Sequence, residues 1–171
     1  MSSARKKVIV RRFGDQLSWG YLPQDHPAHE GQIELIDTAA RVSPLPLRQI
    51  KWVAYVRDFN LTDPTAPERL DRRRFSARPR TEGLWVRLHF TDGDVLEGLL
   101  QVNAVLLEAL AESQGLFLIP PDTRANTQRL FIPRRAIQSI EPLGLVQPRS
   151  AKAQLGQLAP QPTLFPEEAT R

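Results

Sequence analysis

The chain of 171 residues contains no cysteine. That excludes disulfides, thiolate metal sites and cysteine nucleophiles, and it fits a reducing compartment. Long apolar runs are missing as well. The most apolar stretch, "GLLQVNAVLLEALAESQG" (98–115), is interrupted by Gln, Asn and Glu, so it does not read as a membrane span. The N-terminal "MSSARKKVIVRRFGDQ" holds only the apolar run Val8-Ile9-Val10 between charges, too short for the core of a signal peptide. The expectation is a soluble cytoplasmic protein with no membrane contact. Catalytic signatures are absent too: no G-x-S-x-G, no phosphate-binding glycine loop and no H-E-x-x-H. Carboxylates occur singly rather than as pairs in apolar surroundings, so the expectation is a binding protein and not an enzyme, with no cofactor.

What is present is ordinary for a globular chain, 41% apolar and 25% charged, long enough for one medium domain or two small ones. The formal charge is +4 and the sequence pI near 10.0, but the basic surplus is uneven. Residues 1–60 carry nine Lys/Arg against six Asp/Glu, and residues 61–82 carry six against four. Residues 83–146 reverse the balance, with five against seven. A uniformly basic coat is therefore excluded.

The strongest pattern is an internal repeat. "LPLRQIKWVAYV" (45–56) lies over "IPRRAIQSIEPL" (132–143), pairing Pro46 with Pro133, Arg48 with Arg135, Ile50 with Ile137 and Val53 with Ile140, each 87 residues apart. Upstream, "VRRFGDQLSWGYL" (10–22) lies over "RLHFTDGDVLEGLL" (87–100), matching Phe13 with Phe90, Asp15 with Asp92 and Gly20 with Gly98. In the second copy Leu84, Val86, Leu88 and Phe90 alternate with Trp85, Arg87 and His89, the period of a half-buried strand. Asp92-Gly93 tolerates a hairpin turn, and "VLEGLL" returns as the next strand, with Gly98 where a bulge or bend fits. Apolar residues from Val102 to Leu110 recur at helical spacing, with Asn103 as N-cap and Gly115 as stop, so a short helix is expected there. "LFLI" (116–119), "RLFI" (129–132) and "QSIEPL" (138–143) follow as strands, with "PRRAI" as one tight helical turn. The first copy repeats the series with "KVIVRRF", "WGYL", "IELID", "VSPLPL" and "KWVAYV".

Five short bent strands with one helical turn before the last describe a small β-barrel of the SH3-like or Sm-like kind. The expected fold is all-β: two such barrels in tandem, at 1–60 and 83–146, joined by an Arg-rich connection at 61–82. One merged β-sandwich is the alternative. The tail 147–171, rich in Pro, Gln and Ala, is expected to be disordered.

The connection carries "LDRRRFSARPR" (70–80), five arginines among eleven residues. One reading makes it a solvated linker whose arginines pair with Glu68, Asp71 and acids of the second half. Another makes Arg72, Arg73, Arg74, Arg78 and Arg80, together with the N-terminal basic residues, a face for phosphate. A third comes from likeness. "DRRRFSARPR" followed by "LWVRLHF" resembles the start of a PilZ domain, which implies that Arg74 and Arg78, spaced R-x-x-x-R, would clamp cyclic di-GMP. Where that pattern continues with Ser and Gly, this chain has Val105 and Glu108. Over both copies, "YVRDFN", "ARPRTEGLW" and "LIPPDTRANTQRLFIPRRAI" resemble a group of bacterial proteins bearing a domain of unknown function, a resemblance that implies no activity.

Three smaller features complete the reading. The loop "DTRANTQR" holds Arg124 and Arg129 and is expected to be a side-chain-capped turn, with anion binding as its functional alternative. His26 and His29 in "DHPAHE" have metal-ligand spacing without a third ligand cluster, so no metal is expected. In the tail, Gln161, Leu164 and Phe165 resemble the short Q-x-x-Leu-Phe motif by which bacterial proteins dock on the DNA sliding clamp, offering a protein partner. Together these point to a binding or adaptor module for an anionic partner, nucleic acid first. The alternative is a protein-interaction or structural module.

Overall fold

The computed structural model describes residues 4–101, 114–122 and 124–147. The short helix expected after Asn103 and the docking residues Gln161, Leu164 and Phe165 lie outside these described residues. Within them the chain is all β, apart from two single 3-10 turns. The first half runs β1 (Arg5–Arg12), β2 (Leu17–Pro23), β3 (Ala28–His29), β4 (Gln32–Ile36), β5 (Val42–Pro46), a turn at Leu47–Gln49 and β6 (Ile50–Val56). The second half runs β7 (Gly83–Phe90), β8 (Val95–Leu100), β9 (Gly115–Leu118), β10 (Thr127–Pro133), a turn at Arg134–Ala136 and β11 (Ile137–Val146). Val86, Leu88 and Phe90 are fully buried, as their alternation predicts. Gly93, at φ +89°, turns the chain from β7 into β8.

The two halves pair their strands in the same order. β6-β1-β2-β4-β5 in the first becomes β11-β7-β8-β9-β10 in the second, with β8 and β9 joined by the single bridge Leu99–Ile119. Register repeats too: Val8 faces Gly20 and Val10 faces Val53, while Val86 faces Gly98 and Leu88 faces Ile140. Each 3-10 turn is tied back by its first amide, Leu47 to the Gly31 carbonyl at 2.9 Å and Arg134 to the Gln114 carbonyl at 3.1 Å. The strands are organised as two antiparallel sheets, of eight strands and three.

The halves meet where β6 pairs with β10. That junction buries both faces of β6, and from Trp52 onward its residues divide by parity between two cores. Val53 and Tyr55 pack with Val8, Val10, Leu22 and Ile33 of the first half, whereas Trp52, Ala54 and Val56 pack with Val86, Leu88, Phe90 and Leu118 of the second. Trp52 meets Phe90 edge-on with centroids 5.6 Å apart, a contact between halves that adds about 0.5–1.5 kcal/mol beyond the area it buries. β6 thus contributes side chains to both cores. The path of strands ends on β5 and β11, which contain Pro44 and Pro142. Proline cannot donate to a further strand, so both outer edges are poor templates for β-addition.

Candidate anion-binding face

The connection is fastened before its arginines begin. Glu68 is 2% exposed and accepts a hydrogen bond from Arg11 Nε at 2.5 Å. The Glu68 carbonyl accepts the Thr127 hydroxyl at 2.7 Å. Asn126 accepts the Asp58 amide and donates to the carbonyls of Asp58 and Pro67, closing both ends of the 58–67 loop. Leu70 is buried in the larger core. The "DTRANTQR" loop therefore acts as a clamp, with Asp122 also capping the Arg124 amide, in keeping with the capped-turn expectation.

Glu97 then pins the arginine run to β8. This carboxylate, also 2% exposed, accepts the Phe75 amide at 3.1 Å, Trp85 Nε1 at 3.3 Å and Arg87 Nη2 at 3.0 Å. The Glu97 amide donates to the Arg73 carbonyl at 2.8 Å, and the Phe75 ring sits edge-on to Trp85. A buried carboxylate with this many donors is fully compensated for its lost hydration, so it holds the run rigidly.

Against that backbone the five arginines separate. Arg73 turns inward, with its guanidinium 5.0 Å from the Trp52 ring centroid and 3.9 Å from Asp94. Arg78 donates to the Leu145 carbonyl at 3.0 Å. Arg72, Arg74 and Arg80 are exposed and make no hydrogen bond or ion pair with any described residue. All of the run except Arg73 lines one cavity of about 240 Å³, floored by Leu99, Ile119 and Pro120 and without an acidic side chain among its described lining residues. Of the pairings expected for a solvated linker, those with Glu68 and Asp71 do not form among the described residues, Glu68 being taken by Arg11, whereas Arg73 does approach an acid of the second half, Asp94.

Two of the N-terminal basic residues are already engaged. Lys7 pairs with Asp58 at 3.0 Å, and Arg11 spans Glu68, Asp15 and the Thr65 carbonyl. Arg129 lies elsewhere, 3.8 Å over the Phe117 ring and bonded to the Gln24 carbonyl, which makes it a packing residue. Arg124 borders a separate cavity of about 280 Å³ with Arg57, Arg69 and Asn126. His29 lies beside only Glu30, and no group of three or more potential metal ligands occurs among the described residues.

Sequence reading missed Lys51, which is 7% exposed and bonded to both Asp92 and Asp94 on the β7–β8 hairpin. Its only signal was a charge inside the otherwise apolar "IKWVAYV". Partial burial opposes ionisation of Asp92, but Lys51 and the Asp94 amide outweigh it and hold the carboxyl below its ordinary value of 3.8. A depressed carboxyl contributes stability above the unfolded value and loses it as pH falls through the folded one. Thermal melts should accordingly show stability falling as pH drops below 3.8, with a shallower acid limb in Lys51→Met. Identical acid limbs in the two proteins would show that this cluster is not responsible.

A family model, "Family of unknown function (DUF6982)", matches residues 4–144, spanning both halves, the connection and the clamp loop. The chain belongs to the DUF6982 family. No curated protein and no solved structure matches it. For this DUF6982 chain the family assigns no activity, so function rests on the geometry. Among the described residues, no helix is long and apolar enough to cross a membrane.

Proposed function

We propose that the protein is a non-catalytic binding module that holds a phosphate-bearing polymer, nucleic acid first, on Arg72, Arg74, Arg78 and Arg80. The observation that carries this reading is the cavity these four share, in which, among the described residues, three guanidinium groups have no partner and no carboxylate competes. Unpaired arginines held close together repel one another, and an arriving phosphate relieves that repulsion while releasing counterions. The Glu97 anchor supports the reading because a rigid backbone lowers the ordering cost of binding. Arg74 and Arg78 border the same cavity, so cyclic di-GMP enters the test as a competitor.

A structural role is favoured for Arg73 alone, because it is stacked on Trp52 and close to Asp94. Fluorescence anisotropy with single-stranded and duplex oligonucleotides across a salt series separates the two roles. The Arg72→Ala/Arg74→Ala/Arg80→Ala variant should bind weakly, with the log–log salt slope shallower by roughly two on single strands and nearly three on duplex if three phosphate contacts are lost. Arg73→Ala should lower the melting temperature and leave affinity nearly unchanged. Wild-type binding by the triple variant, or binding insensitive to salt, would sink the proposal.

A further inference from the structure

The repeat places a second set of basic residues at the junction of the halves, away from the arginine run. Both 3-10 turns border one cavity of about 340 Å³. Its walls come in equivalent pairs: Pro46 with Pro133, Arg48 with Arg135, and Gly31 with Gln114, whose carbonyls receive the matching turn amides. Arg48 and Arg135 are exposed and have no hydrogen-bond or ion-pair partner among the described residues. Where the first half has Gly31, the second has Gln114, whose Oε1 is shielded from solvent and receives no hydrogen bond.

The arginines ask for something from a ligand. Two guanidinium groups offer up to ten N–H donors, more than a carboxylate's two oxygens can use but well matched to the three terminal oxygens of a phosphate monoester. The orphaned Gln114 oxygen is shielded from the cavity, so recognition falls to the two arginines. A cavity near the lower end of the small-molecule range, roughly 300–1,000 Å³, suits a compact metabolite better than a polymer. We infer that this junction cavity binds a small phosphorylated molecule, with Arg48 and Arg135 on the phosphate.

The test is an amide-shift NMR titration of the full chain with ribose 5-phosphate, with ribose and with a 5′-phosphorylated dinucleotide. Saturable shifts are expected at Gly31, Leu47, Gln114 and Arg134 with ribose 5-phosphate and not with ribose. They should vanish in Arg48→Ala/Arg135→Ala, whose changes are on the surface, and persist in the triple variant of the arginine run. Shifts confined to 72–81, equal binding of ribose, tighter binding of the dinucleotide, or no saturation at millimolar concentration would each overturn the assignment. Failure here leaves the polymer-binding proposal standing, because that depends on different arginines and a different probe.

Discussion

Gly20→Ala is expected to destabilise the protein by about 3–4 kcal/mol, at the upper end for an inserted methyl, lowering the melting temperature by roughly 6–16 °C. The reason is a backbone contact. A Cβ at Gly20 would lie 2.2 Å from the Ile36 carbonyl oxygen and 2.9 Å from its carbon. Neither atom can rotate away, so the strands must part. The pair they would break, Tyr21 with Ile36, is the one that joins β2 to β4, and with it goes the enclosure of Leu22, Ile33 and Leu35. Gly98, the matching residue of the second half, makes the comparison informative. There a Cβ would strike Leu118 side-chain atoms at 2.3–2.6 Å, and a side chain can change rotamer. Leu118 is fully buried, so Gly98→Ala should still cost about 1–2 kcal/mol, but less than its counterpart. Thermal or urea unfolding of the two variants side by side gives the ranking. Equal losses would mean that the sheet yields at Ile36 as easily as a leucine repacks.

Glu97→Ala should cost about 3 kcal/mol, because it removes the shared acceptor of several buried or half-buried donors. Phe75 N–H, Trp85 Nε1 and Arg87 all converge on this one carboxylate. The alanine variant leaves the Phe75 amide and Trp85 Nε1 without a protein acceptor, leaves Arg87 with Glu141 alone, and removes the side-chain tie between the arginine run and β8 while keeping the Glu97 amide bond to the Arg73 carbonyl. Glu97→Gln keeps one acceptor oxygen and should lose about half as much stability, since charge-assisted bonds are roughly twice as strong as neutral ones. Hydrogen exchange makes the local claim separable from the global one. The Phe75 amide should exchange faster in Glu97→Ala by more than the fall in global stability accounts for, while amides of β1 and β6 track that fall. Uniform acceleration would show that Glu97 serves the core and does not anchor the run.

Much of the fold was legible because its signals are local. Alternation in "LWVRLHF", the Asp92-Gly93 turn and the repeated Pro-x-Arg before the last strand of each half all depend on residues close in sequence. β6 was legible only as an apolar run. A strand covered on both faces loses its alternation, so "IKWVAYV" could not show that Val53 and Tyr55 serve one core while Trp52, Ala54 and Val56 serve another. The buried charges were harder still. Lys51, Glu68 and Glu97 look like surface residues until Asp92, Arg11 and Arg87 are brought to them from 41, 57 and 10 residues away.

By itself the sequence determined an all-β chain built on a repeated strand order, with a cysteine-free composition and a dense arginine run between its halves. Those properties follow from periodicity, turn chemistry and composition, which are short-range. Only the tertiary structure decided which arginines keep their charge available. Arg73 is absorbed by Trp52 and Asp94 and Arg11 by Glu68, whereas among the described residues Arg72, Arg74 and Arg80 stand unpaired over one cavity, and Arg48 and Arg135 over another. Charge is a property of the residue, but its neutralisation depends on which distant carboxylate or ring packing delivers, and that is settled by the fold.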